Sequence, residues 1–419
     1  MHCTAFTKLV LFGLASTALA ARQPYDVRKI IDAFRNPHDD LTVLCSHRGL
    51  RWNGTAENSR DAYFRTAEAG IECIETDIRL SKDLQLPMIH DSGLGRVTDV
   101  GEQAGEPAYN PFTGEGYDPK VAESNFIGFM EDLYLRDEQG RVRFERVPTL
   151  PEMVQTIHDA EMNVVLELDF KDQAAIEPAY WALKSLKNAA GVPANEWCIY
   201  KLQSTWYKSP DEFEALPWVQ DAFANGIQLS FIPVYEPAYH TEMDQLASLK
   251  AFSKTNYTIS AEIELMSTDG MSYELLEKVK EMQNNPNFRI KSAGTFYAIG
   301  DFFEQESNLT FFDTGAFSLP EDIRHNNSVY VFQENEPPVL LDSKVKNYSV
   351  DGHDYRSDFD WIMEQGYNWV ISETVDVWDV LLRKQGKRNI QHMIADGQTV
   401  ADESRSNGWY KRHARDFRI

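Results

Sequence analysis

The chain has little cysteine and, beyond its first twenty residues, no long apolar run. Its four cysteines, Cys3, Cys45, Cys73 and Cys198, are spread over 419 residues. Such wide spacing argues against a zinc site of the usual short-spaced kind. No later segment approaches the roughly 18 apolar residues that a membrane-spanning helix needs. Positive charge is also scarce: 41 Lys and Arg stand against 65 Asp and Glu, a formal charge of -24. That surface repels nucleic acid and anionic headgroups at long range, so no nucleic-acid partner and no stable membrane insertion are expected. An anionic substrate would need a local positive site, supplied by a metal ion or by Arg and Lys. Internal repeats, low-complexity blocks and the Gly-rich phosphate turn of open doubly wound sheets are missing too.

What is present begins with an export signal. Lys8 precedes a mostly apolar stretch from Leu9 to Leu19, and Ala18-Leu19-Ala20 fits small-x-small cleavage. Residues 1–20 therefore read as a signal peptide, and the protein as secreted or extracellular, with the cell wall one place for it. Asn-x-Ser/Thr sequons begin at Asn53, Asn256, Asn308, Asn326 and Asn347 and agree with export. Cys3 leaves with the signal. The other three make either one disulfide and a free thiol or three buried thiols, and buried thiols are the expectation.

Eight short β-branched, apolar runs recur: 42–46, 71–78, 163–170, 196–202, 227–234, 257–265, 288–297 and 368–373. Helical patterns separate most of them, at 58–69, 149–160, 174–189, 239–253, 271–283, 357–365 and 375–385. This alternation predicts parallel βαβ units closing into a single TIM-type (β/α)₈ barrel over residues 41–389. Two long insertions interrupt it, at about 92–147 and 298–356. Residues 21–40 and 390–419 read as terminal extensions.

In such a barrel the site forms where strands end. His47-Arg48-Gly49 follows the first run. Glu75 and Asp77 end the second, and at period two they point the same way. His90-Asp91 follows a short extended piece, and Glu167, Asp169 and Lys171 end the third run. Each group alone could be a capped loop, a solvated strand end or a surface turn. Together they put two imidazoles, several carboxylates, an Arg and a Lys on one rim. Crowded carboxylates repel unless a cation sits among them, and oxygen ligands without cysteine suit Mg²⁺ or Ca²⁺. Such an ion, with Arg48 and Lys171, could hold a phosphodiester, while His47 and His90 supply acid and base.

The order His47-Arg48-Gly49, Glu57-Asn58, Glu75-x-Asp77, His90-Asp91 resembles the glycerophosphodiester phosphodiesterase family. So do Pro148-Thr149-Leu150 with Glu152, and Asp169-x-Lys171, where the family usually shows Glu-x-Lys. The resemblance is strong over 43–171 and looser to about 385. It implies a TIM barrel that cleaves glycerophosphodiesters to an alcohol and glycerol phosphate. It also implies one divalent ion held by Glu75, Asp77 and Asp169, with His47 and His90 as the acid–base pair. Arg48 and Lys171 would contact phosphate, and Glu57 would lie near metal or substrate. Glu167 would line the same wall. Trp52, Trp206, Tyr235 and Phe296 lie just past strands and could stack on a substrate's alcohol portion or pack in the core or a lid; Trp206 is the one expected on the substrate. Glu262 and Glu264 could meet a choline-like cation or be solvated. Asp-x-Lys is also similar to the related sphingomyelinase D group, so a phospholipase C/D-type action on membrane lipids is the alternative. A glycoside hydrolase would leave both histidines without a role. A barrel that only binds would not need the intact histidines and carboxylates.

Overall fold

The computed structural model describes residues 24–51, 54–110, 114–137, 140–297, 302–303, 329–333, 336–340, 348–356 and 358–398. Eight parallel strands close into a barrel. We number them β1 (Val43–His47), β2 (Cys73–Ile78), β3 (Val165–Phe170) and β4 (Cys198–Gln203), then β5 (Ser230–Tyr235), β6 (Ala261–Ile263), β7 (Ala293–Tyr297) and β8 (Trp369–Ser372). Each strand pairs with the next. β8 closes on β1 through Val43↔Trp369 to Ser46↔Ser372. All eight apolar runs of the sequence fall on these strands.

The helices form for local reasons. Ser59 caps Arg60–Glu68 by accepting from the Ala62 amide. Thr149 and Glu152 make a reciprocal capping box on Leu150–Asp159, with Pro151 in its first turn. Each helix buries one face on the barrel. Leu150, Met153, Val154 and Ile157 do so from the second. Trp369 shows how tight the packing is. It is fully buried against Phe34, 5.5 Å between ring centroids, and donates to Ser260 Oγ at 2.7 Å. A Cβ on Gly294 of the adjacent strand would lie 2.0 Å from its ring, so that position has to be glycine. Full burial of a ring this size contributes roughly 2–3 kcal/mol.

The parts read as terminal extensions join the barrel where they are described. Tyr25, Val27, Ile30, Phe34, Met393 and Ile394 belong to its main core cluster, and Tyr25 bridges Ile394. Residues 79–148, between β2 and the helix Leu150–Asp159, hold a third apolar cluster around Leu94, Met130 and Leu135, and a hairpin of Tyr134–Arg136 with Val142–Arg146. The later insertion contributes a three-stranded antiparallel sheet of 302–303, 329–333 and 336–340.

One expectation about cysteine is corrected. Cys45 and Cys73 are joined as a disulfide, and Cys198 is a buried free thiol. The two half-cystines are exact register partners on β1 and β2, with Cα atoms 4.3 Å apart. Apolar spacing suggested packing; register put the two sulfurs face to face.

Candidate active site

The site is built from strand ends. Cys45 and His47 share the inward face of β1; Cys73, Glu75 and Asp77 share that of β2; Glu167 and Asp169 share that of β3. Register sets Glu75 opposite Glu167 and Asp77 opposite Asp169. One carboxylate oxygen from each of Glu75, Asp77 and Asp169 falls within 4.8 Å of the others. The three expected ligands thus converge on one point.

The turn after β1 holds this cluster. Arg48 adopts a left-handed backbone (φ 59°), a conformation costly for a side chain of its size. Its N–H donates to the Glu75 carbonyl at 2.9 Å and reaches Glu75 Oε2 at 3.2 Å. Gly49 follows at φ 80°, and a Cβ there would stand 2.7 Å from that of Ala62. Asn58, also left-handed, donates from Nδ2 to Asp77 Oδ2 at 2.9 Å and accepts from Thr76 Oγ1 at 2.7 Å.

Cations close round the carboxylates. Arg48 Nε lies 3.1 Å from Asp77 Oδ2. Lys171 Nζ sits between Asp77 Oδ1 at 3.0 Å and Asp169 Oδ2 at 2.8 Å. Burial works against the charge on Asp77, yet Lys171 and Arg48 hold its carboxyl well below the usual range. Glu75 differs. Burial and the neighbouring Asp77 push it well above that range, and among the described residues its Oε1 accepts no hydrogen bond. A buried, under-satisfied carboxylate beside two others is what a divalent cation corrects. The donor set therefore fits a hard metal ion.

Both histidines rest on carboxylates. His47 Nδ1 is 3.0 Å from Glu373 Oε1, and its ring packs on Phe296 with centroids 4.7 Å apart. His90 Nδ1 is 2.8 Å from Asp91 Oδ1. Burial lowers the pKa of both rings, helped by Arg48 and Arg51 at His47 and by Arg48 and Lys171 at His90. His90 stands on the insertion after β2 rather than on a barrel strand, and Arg79 Nε holds its carbonyl at 2.9 Å.

Most of the other expected residues have partners of their own. Glu57 gives its oxygens to Arg48, Arg51 and Arg96, which hold it at about 2 against the effect of burial. Glu167 is fully buried, with an oxygen within 4.8 Å of both disulfide sulfurs, rather than on the rim. Trp206 is partly buried against the main core. Tyr235 is buried and bonded to Ser248. Glu262 and Glu264 face Lys201 and Arg356, so their charge is met within the protein. Trp52 lies outside the described residues. So do all the sequons except Asn256, which is exposed.

Sequence reasoning missed four contributors. Lys201, inward on β4, reaches Glu262 at 3.3 Å, Asp169 at 3.6 Å and Glu75 at 3.9 Å. Glu373, Arg51 and Arg96 were missed as well. A lysine inside an otherwise apolar strand was a usable signal for Lys201. Glu373, directly after the last barrel strand, carried the same positional signal as His47.

Residues 47–198 match the family model of the Glycerophosphoryl diester phosphodiesterase family. This segment belongs to that family. A glycerophosphodiester phosphodiesterase of Caldanaerobacter subterraneus subsp. tengcongensis is 33% identical over 127 residues, which are 30% of this chain and 45% of that protein. One of Bacillus altitudinis is 37% identical over 60 residues, 14% of this chain and 24% of that protein. The matched stretches thus span less than half the length of either relative. A glycerophosphoryl diester phosphodiesterase structure from Parabacteroides distasonis is similar at a TM-score of 0.49 and 15% identity, over 90% of this chain and 96% of that one. The family segment runs from His47 to the start of β4 and contains every residue expected on sequence grounds to bind metal or move protons.

Proposed function

We propose that this protein hydrolyses glycerophosphodiesters to an alcohol and glycerol phosphate with the help of one divalent ion, Mg²⁺ or Ca²⁺. The observation that carries this reading is the convergence of Glu75, Asp77 and Asp169 within 4.8 Å, beside two carboxylate-bound histidines. Glu75, Asp77 and Asp169 would hold the ion, which supplies Lewis-acid stabilisation of phosphate charge when bound. Arg48 and Lys171 flank the carboxylates and add positive charge for the phosphoryl oxygens. The imidazoles move the protons. A carboxylate can only accept, so each Nδ1 carries a proton and each Nε2 keeps its lone pair. One ring takes a proton through Nε2 from the attacking water, whose oxygen bonds to phosphorus as the bond to the alcohol oxygen breaks. The arriving phosphodiester anion favours the protonated form of the other, which donates to the leaving alkoxide.

The test offers the purified protein glycerophosphocholine with and without EDTA, then with added Mg²⁺ or Ca²⁺. Turnover should vanish on chelation and return with the metal. Full activity in EDTA would refute the metal's role. A second reading is a phospholipid substrate. It is favoured by exposed Leu84, Ile127 and Phe144 on the insertion that leaves the C-terminal end of β2. Turnover of lysolipid or sphingomyelin vesicles with none of glycerophosphocholine would select it. The disulfide and the Lys8–Ala20 signal pattern support export.

A further inference from the structure

Seven side chains form one continuous path from His47 to His90. Glu373 Oε1 meets His47 Nδ1 at 3.0 Å and Arg51 Nη2 at 3.3 Å. Arg51 Nη1 reaches Glu57 Oε2 at 3.4 Å. Arg96 holds both Glu57 oxygens, at 3.0 and 2.8 Å, and both Asp91 oxygens, at 2.6 and 2.9 Å. Asp91 Oδ1 meets His90 Nδ1 at 2.8 Å. The path is symmetric about Glu57: on each side an arginine, a carboxylate and an imidazole. The pieces come from three distant stretches of chain, 47–57, 90–96 and 373. Glu57, Arg51, Arg96 and Glu373 are each at most 6% exposed.

We propose that Glu57 is a positioning residue that aligns both histidines at once, through Arg51 with Glu373 on one side and Arg96 with Asp91 on the other. The proposal rests on the acid–base role given above to the two rings. Its physical basis is geometric. A guanidinium is planar and binds two carboxylates in fixed directions. Two such planes sharing one carboxylate fix the positions of Glu373 and Asp91 relative to each other. Those two carboxylates in turn fix which nitrogen of each ring carries the proton and where Nε2 points. Glu57 touches neither ring. Its effect on them is indirect, and it should act on both.

The test reads ring tautomers in the substrate-free protein by NMR of ¹⁵N-labelled histidine. In the wild type, His47 and His90 should both show a protonated Nδ1 and a bare Nε2. Glu57→Gln should shift both rings toward mixed tautomers, whereas Glu373→Gln should affect only His47 and Asp91→Asn only His90. With glycerophosphocholine, Glu57→Gln should lower kcat on the order of 10-fold with KM changed less than about twofold. Glu57→Asp should restore part of the loss. If Glu57→Gln leaves either ring's signals unchanged, the proposal is overturned. If Glu57→Gln does not fold, Arg51→Gln should disturb His47 most and Arg96→Gln His90 most. Absence of both shifts overturns it equally. The tautomer signals need no substrate, so a protein that turned over no glycerophosphodiester would refute the function and leave this inference standing or falling alone.

Discussion

Glu57 and Glu167 are both buried carboxylates of one barrel, yet they sit at opposite ends of the carboxylate range. Glu57 is held at about 2 because Arg96 and Arg48 overcome its burial. Glu167 is pushed to about 8 because burial prevails over the single opposing cation, Lys201. Neither Glu167 oxygen accepts a hydrogen bond among the described residues. Both are buried, and what separates them is their neighbours. The β1 turn and the insertion bring three guanidinium groups to the rim, while the layer below offers a disulfide. Burial sets the cost of a charge; the elements that arrive beside it decide whether the charge persists.

The comparison breaks most sharply at the two acids of β3, which are two residues apart on one face. Asp169 lies in the proposed metal trio and Glu167 beneath it. Asp169→Asn should lower kcat/KM for glycerophosphocholine on the order of 10³-fold, about 4 kcal/mol of transition-state stabilisation. Glu167→Gln should cost less than about 10-fold. Steady-state kinetics at saturating metal decide the matter. Equal losses at both positions would merge the two layers into one site.

How much of this was legible in the sequence follows the same division. All eight strands could be read from apolar runs, because burial on both faces leaves an uninterrupted signal. The trio could be read because period-two spacing and strand-end position are local properties. Pairings across the chain could not. Glu373 lies 326 residues from His47, and nothing local links them. The same holds for Arg96 on Glu57 and for the disulfide, whose partners are set by strand register. Glu167 was placed on the rim because it shares a face with Asp169. Spacing gives the face of a strand but not the height within the barrel.

The disulfide below the rim offers the next test. It closes a 28-residue separation between β1 and β2, two residues before His47 and Glu75. Replacing Cys45 and Cys73 together by Ala should lower stability by about 3–4 kcal/mol on chain-entropy grounds. Urea denaturation measures this. Glu75 and Asp77 of the trio lie on one of these two strands and Asp169 on β3, and Arg48, Asn58 and Lys171 also hold the trio. Residual activity at 25 °C should therefore stay within about 10-fold of wild type. A larger loss in a still-folded double variant would show that the lower layer sets the geometry of the upper one.

The effect that is smallest per unit of change is the most specific, because the two carboxylates should respond to pH with opposite signs. Glu57 has a folded pKa of about 2, below its ordinary 4.5. Its contribution to stability is full above pH 4.5 and is lost as pH falls toward 2. Glu167 has a folded pKa of about 8, above its ordinary 4.5. Folding therefore favours its neutral form, and that contribution is full below pH 4.5 and is lost as pH rises through 8. In the metal-free protein, Glu167→Gln should flatten the stability profile between pH 5 and 8 by up to about 1.4 kcal/mol per pH unit. Glu57→Gln should leave that window unchanged and flatten only the acid limb. Urea midpoints across the pH range give both slopes. An unaltered slope above pH 5 in Glu167→Gln would mean that Lys201 already keeps Glu167 ionised, and the contrast between the two layers would lose its electrostatic basis.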